Sequence, residues 1–179
     1  MSDENQVQEE SDIIAQRKAK LAELRERGNA FPNDFRRKHT AGELHAEHGE
    51  QSKEDLVENQ SDTIVAGRIM LRRAMGKASF VTIQDRTGRI QAYIRQSDVG
   101  EDSYADFNKW DIGDIVGISG YMMKTNKGEL SVHATELRLL TKSLRPLPEK
   151  HAGLTDTETK YRQRYLDLMV NDDTREVFR

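Results

Sequence analysis

From Ala78 to Gln84 the chain reads ASFVTIQ and from Arg89 to Arg95 it reads RIQAYIR, two seven-residue alternations joined by Asp85-Arg86-Thr87-Gly88. Successive side chains of a strand point to opposite faces, so parity decides what each one touches. In the first run Ser79, Val81 and Ile83 form the core-filling set, which sends Phe80, Thr82 and Gln84 the other way. In the second, Ile90, Ala92 and Ile94 face inward and Gln91, Tyr93 and Arg95 outward. Gly88 can supply the positive φ of a tight hairpin between them. The preceding segment follows the same rule, with Val65, Ile69 and Leu71 expected inward and Arg68, Met70 and Arg72 outward. Three consecutive strands then share one buried side and one open side.

The strands predicted on this basis are Thr63 to Arg72, Ala78 to Gln84, Arg89 to Arg95, Ile115 to Lys124 and Leu130 to Leu140, with a short helix near Tyr104 to Lys109. Glycines support the turns at Met75-Gly76-Lys77 and Asn126-Lys127-Gly128. Five strands with a helix between the third and fourth is the order of an OB-fold barrel, whose binding face centres on strands two and three. A closed sandwich competes, and the single inserted helix favours the barrel.

Around this domain, set at residues 63–143, the other segments read differently. Residues 1–10 are acidic, glutamine-rich and aperiodic, and are expected to be a disordered tail. Residues 11–62 form a helical N-terminal extension. Its first helix is predicted from about Asp12 to Arg27, opened by Ser11 and stopped by Gly28-Asn29. On a helical wheel Ile13, Ile14, Leu21 and Leu24 group together with Arg17 inside their stripe. Its Lys and Arg borders serve either phosphate or, as in an ordinary amphipathic helix, solvent. A short helix is expected from Thr40 to His48, followed by a charged polar stretch to Asp62. Residues 144–179 hold a linker, where Pro146 and Pro148 end the strands. A helix predicted from about Asp156 to Met169 follows, lining up Tyr161, Tyr165 and Leu168. The final Val177-Phe178-Arg179 has nothing after it to pack against, as expected of a piece of something longer.

The net charge of −3 argues against a nucleic-acid partner until it is divided along the chain. Residues 1–60 carry 9 basic and 14 acidic side chains, whereas residues 61–95 carry 7 basic and 2 acidic. The positive charge is therefore local, as an electrostatic footprint requires. It coincides with the open face, where Phe80 offers a stacking surface, Arg68 and Arg72 offer phosphate neutralisation, and Gln91 offers a carboxamide to a base edge. Single-stranded RNA bases fit that combination. The alternative is that Phe80 covers a loop or a second sheet.

Catalytic constellations are missing from the sequence. It has no glycine-rich phosphate loop, no GxSxG elbow, no HExxH and no cysteine, which also excludes disulfides and thiolate chemistry. His45 and His48 share a helical face without a third metal ligand at suitable spacing, so no metal site is expected. No apolar run approaches a membrane span and no signal peptide is legible, which makes the cytoplasm the expected compartment.

The segment Gly67 to Tyr93 with Arg72-Arg73, Phe80, Gly88 and Gln91, the tetrad Lys127-Gly128-Glu129-Leu130 and the tail YRQRYLDL from Tyr161 to Leu168 resemble a known family. They resemble the N-terminal part, anticodon-binding domain plus hinge, of bacterial lysyl-tRNA synthetases, class II enzymes grouped with the aspartyl and asparaginyl synthetases. The lysyl branch is favoured by RGNAFPNDFRR from Arg27 to Arg37, MGKASF from Met75 to Phe80 and LRPLPEK from Leu144 to Lys150. The resemblance implies an OB-fold that grips the tRNA anticodon, whose middle base in this subgroup is uridine. Phe80 would stack on that base, Gln91 would hydrogen-bond its edge and Arg72 would add a contact from strand one. Glu129 matches the family position near the third anticodon base, and Arg68 and Arg73 are weaker candidates for phosphate contact. It further implies a homodimeric ligase that uses ATP and magnesium to charge lysine tRNA. The catalytic domain of that ligase would follow Arg179, so this segment alone is expected to bind without catalysing. A generic single-strand-binding barrel, an aspartyl- or asparaginyl-type anticodon domain and a dimerisation module remain the alternatives.

Overall fold

Alternation in the middle of the chain builds five strands: β1 (Asp62–Met75), β2 (Ala78–Gln84), β3 (Arg89–Arg95), β4 (Ile115–Lys124) and β5 (Leu130–Thr141). In the computed structural model, which describes residues 3–148 and 157–178, they close into a barrel in the order β1-β2-β3-β5-β4. All ladders are antiparallel except the short parallel pairing of β3 with β5. This is the five-stranded OB-fold barrel. Its interior is filled by the predicted inward set, including Val65, Ile69, Val81, Ile83, Ile90 and Ile94, each no more than 3% exposed. Phe107, from a helix before β4, joins that core.

The helices match expectation less evenly. Helix α1 (Asp3–Arg27) starts well before Asp12, so the residues from Asp3 onward expected in a disordered tail are helical. Met1 and Ser2 lie outside the described residues. Arg17 does sit in the buried stripe beside Leu21, donating to the Ser143 carbonyl 3.2 Å away. Helix α2 (Ala41–His48) opens with a capping box between Thr40 and Glu43. The polar stretch after it contains a further helix, α3 (Lys53–Glu58), nucleated by a second capping box between Ser52 and Asp55. Two short helices, α4 (Gln96–Val99) and α5 (Glu101–Asn108), replace the one expected between β3 and β4.

Two local predictions fail for identifiable reasons. Gly88 does not adopt a positive φ, whereas Gly76 and Gly128 do. The 85–88 turn is held instead by the Asp85 carboxylate, which accepts from the Thr87 and Gly88 amides, the Thr87 hydroxyl and the Ala41 amide of α2. Burial works to raise the Asp85 carboxyl, but these hydrogen bonds outweigh it and hold its pKa below the ordinary aspartate value. The second failure is in β1, where the register slips between Ile69 and Leu71: Ile69 faces Ile83, but Leu71 faces Thr82. Met70 is the extra residue of a β-bulge, and a one-residue insertion reverses the parity of everything after it. Leu71, expected in the core, is 40% exposed, and Arg72 turns toward the barrel end.

A buried cluster ties α1 to the barrel. Lys142, whose side chain is 1% exposed, bridges Asp111 and the fully buried Asp114, and Asp111 also takes Lys20 of α1 at 2.8 Å. Met1–Leu144 form one compact unit and Arg145–Arg179 a second. The second holds three short helices, α6 (Thr157–Arg162), α7 (Arg164–Val170) and α8 (Asp172–Val177), rather than one continuous helix. The break at Gln163 separates Tyr161 from Tyr165, and both rings are exposed. The expected start at Asp156 lies outside the described residues.

Candidate nucleic-acid interface

The outer face of β1, β2, β3 and β5 is ordered in rows by the ladder register. One row runs Arg73, Phe80, Tyr93, His133 and on to Tyr121 of β4. The next runs Leu71, Thr82, Gln91, Ser131, and a third pairs Arg68 with Gln84 and Gln84 with Arg89. Rows are two residues apart, about 7 Å along a strand, which suits an extended single strand lying across them.

Phe80 stands on this face as parity predicts, half-buried, with its ring centroid 4.9 Å from that of Tyr93. Tyr93 in turn meets His133 edge-on at 5.4 Å, and His133 stacks on Tyr121 at 4.7 Å. His133 Nε2 lies 2.7 Å from the Asp98 carboxylate. Burial pushes that carboxyl up, but the hydrogen bonds from His133 and Ser97 and the charge of Arg95 prevail, so its pKa falls below the ordinary value. The chain thus carries a four-ring aromatic row across four strands. Only its first two members stand out in the sequence. His133 and Tyr121 are legible only once β5 is known to run beside β3.

Gln91 occupies the outer parity position but is 7% exposed, because β5 packs alongside β3 there. Its Oε1 accepts from the Ser131 hydroxyl at 3.0 Å. The carboxamide nitrogen has no partner among the described residues, and none of their buried side-chain nitrogen or oxygen atoms is unsatisfied. That nitrogen therefore reaches the surface, able to donate.

The arginines change rank. Because of the bulge, Arg72 leaves the face: its guanidinium lies 4.1 Å over the Phe107 ring and donates to Phe107 O at 3.0 Å and Asn108 Oδ1 at 2.6 Å. Desolvation there pulls its pKa below the usual arginine value, with Tyr104 and Asp111 opposing. Arg68 points outward but is half-buried and spent on the Gly113 carbonyl at 2.8 Å. Burial lowers its pKa as well, against the pull of Asp114. Arg73 sits directly opposite Phe80, exposed and with no ion-pair partner among the described residues. Glu129 lies in the β4–β5 loop, its backbone pinned to Thr125 and its side chain exposed. The two histidines weighed as metal ligands are otherwise engaged, His45 with Arg89 O at 3.0 Å and His48 with Gln51 Oε1 at 2.9 Å.

A closed five-stranded barrel with rings, amide and cation on strands one to three is the binding architecture of an OB-fold. Residues 63–140 match the tRNA_anti-codon family, described as an OB-fold nucleic acid binding domain, and that is the class of the domain. Along nearly its whole length the chain is also similar to lysine–tRNA ligases. It is 58% identical over 181 residues to that of Azoarcus sp. (strain BH72), covering 99% of this chain and 36% of that protein. With that of Dechloromonas aromatica (strain RCB) it shares 58% over 172 residues, 96% of this chain and 34% of the relative. The ligase of Tolumonas auensis is 55% identical over 186 residues. The chain spans about a third of the length of the curated relatives it matches. It is an anticodon-binding OB domain with flanking segments, homologous to the N-terminal region of lysine–tRNA ligases.

Proposed function

We propose that the face formed by β1, β2 and β3 holds the anticodon loop of a lysine tRNA, as the recognition part of a lysine–tRNA ligase. The observation that carries this reading is the juxtaposition of Phe80, Arg73 opposite it and the free Gln91 amide nitrogen one row away. Sequence-specific RNA recognition works on unstacked loop bases, through aromatic stacking and edge hydrogen bonds. Phe80 stacks on the middle anticodon base, Gln91 donates to its edge, and Arg73 neutralises a neighbouring phosphate. Glu129 accepts from a donor on the third anticodon base. Arg72 and Arg68 support the barrel instead of touching RNA.

The complete protein is a homodimeric cytoplasmic ligase that activates lysine with ATP and magnesium and transfers it to the tRNA. On this reading the chain supplies the anticodon-recognising part of that ligase. No helix among the described residues is long and apolar enough to cross a membrane.

The test is titration of the chain with a lysine anticodon stem-loop and with the same hairpin carrying cytidine at the middle position. The uridine hairpin binds more tightly, and Phe80→Ala weakens it by about 1–3 kcal/mol through lost stacking. Equal affinity for both hairpins, with steep salt dependence, would mark a generic single-strand binder.

A further inference from the structure

Ser131 lies on β5 in direct register with Gln91 and is fully buried, yet neither sequence pattern nor charge draws attention to it. Its hydroxyl has one proton and two acceptors within reach, Gln91 Oε1 at 3.0 Å and Glu129 O at 3.2 Å. The Glu129 carbonyl already accepts the Thr125 amide at 3.0 Å, whereas Oε1 has no other donor among the described residues. The proton is therefore best used on Gln91.

That bond sets which end of the carboxamide meets the ligand. A free glutamine carries both a donor and an acceptor and can turn over to suit either kind of base edge. With Oε1 held toward Ser131, the end of the amide that Gln91 turns to the open face is its donor. The pairing edges of the two pyrimidines differ at positions 3 and 4, and at position 4 uracil presents the O4 acceptor where cytosine presents the N4 amino donor. An outward-turned donor satisfies O4 and leaves two donors facing each other against N4, a mismatch that buried polar groups tolerate poorly.

We propose that Ser131 is the positioning residue that makes Gln91 selective for a base with a carbonyl at position 4, uracil over cytosine, by fixing the orientation of its amide. The inference rests on the anticodon-binding reading and adds the source of its discrimination. Ser131 touches no RNA itself. Its removal changes the ratio of affinities rather than the affinity for the cognate base.

The experiment measures, for the chain and its variants, the ratio of dissociation constants for the uridine and cytidine hairpins, with thermal melts alongside. In Ser131→Ala the melt stays close to that of the unchanged chain. The freed amide turns to accept from cytosine, and the uridine preference drops by about tenfold, the worth of one hydrogen bond. In Gln91→Glu, Ser131 donates to one carboxylate oxygen and leaves the other as an acceptor. Both affinities fall through repulsion of phosphate, and the preference inverts toward cytidine. An undiminished uridine preference in Ser131→Ala overturns the role of Ser131 while leaving the anticodon reading intact. Absence of any preference in the unchanged chain overturns both.

Discussion

Replacing Arg72 by alanine separates the observed register of β1 from the simple alternation of its sequence. If parity ran unbroken, Arg72 would lie on the RNA face and its loss would weaken binding. With Met70 bulged out, Arg72 braces the loop after α5. Two hydrogen bonds from a charged donor, at 3.0 and 2.6 Å, are worth about 1.5 kcal/mol each at the low end suited to a half-buried site. The guanidinium over Phe107 adds about 0.5–1 kcal/mol, and these terms overlap because one group makes them all. Truncation should therefore cost roughly 3 kcal/mol, a fall in melting temperature of about 6–12 °C for a chain of this size. Hairpin affinity measured well below the melt should change by less than about twofold, since no RNA contact is lost. Arg73→Ala should do the opposite. Its melt should shift by no more than about 0.5 kcal/mol. Its hairpin affinity should drop, and the slope of log affinity against log salt should become shallower by about 0.7, the value of one single-strand phosphate contact. An Arg72→Ala chain that melts normally but binds poorly would refute the bulge-based assignment.

Other perturbations follow from the same geometry. Lys142→Met strands the fully buried Asp114 carboxylate, which among the described residues then keeps as hydrogen-bond donors only the Ser143 and Asp111 amides, and should cost about 3 kcal/mol or more in a denaturant melt. Gly120→Ala should destabilise by roughly 1–3 kcal/mol, because a Cβ there would fall 1.9 Å from the His133 carbonyl oxygen. Calorimetry across pH tests Asp85. Its folded pKa is depressed, so its contribution is complete above the unfolded value of about 3.9 and is lost as pH falls below that through the folded value. Asp85→Asn should therefore lower stability near neutrality and flatten the acid loss, with no effect on its slope between about pH 6 and 8.

The barrel is legible in the sequence because its two central strands keep strict alternation, which by itself sets Phe80 on the outer face. Arg72 departs from the face that alternation predicts because a bulge leaves no compositional mark in a run as mixed as IMLRR. The turn at 85–88 shows a similar ambiguity, since glycine permits a positive φ without requiring it and an aspartate can organise the same reversal through its side chain. Helix α3 was hidden in a charged stretch whose only signal was the Ser52–Asp55 capping box. Alternation gives Gln91 its face but not its burial, and nothing local marks Ser131. Both depend on β5 returning parallel to β3, a long-range pairing that no local pattern encodes. The break at Gln163 likewise sits within a helix-like periodicity.

The central claim, that Phe80 stacks on the middle anticodon base, is tested most directly by a double cycle. Dissociation constants are measured for the unchanged chain and Phe80→Ala, each with the intact hairpin and with one abasic at that position. If the ring and the base touch, Phe80→Ala costs about 1–3 kcal/mol against the intact hairpin and almost nothing against the abasic one, so the two losses do not add. Full additivity of the two losses would mean that Phe80 and this base act independently, and would contradict the account.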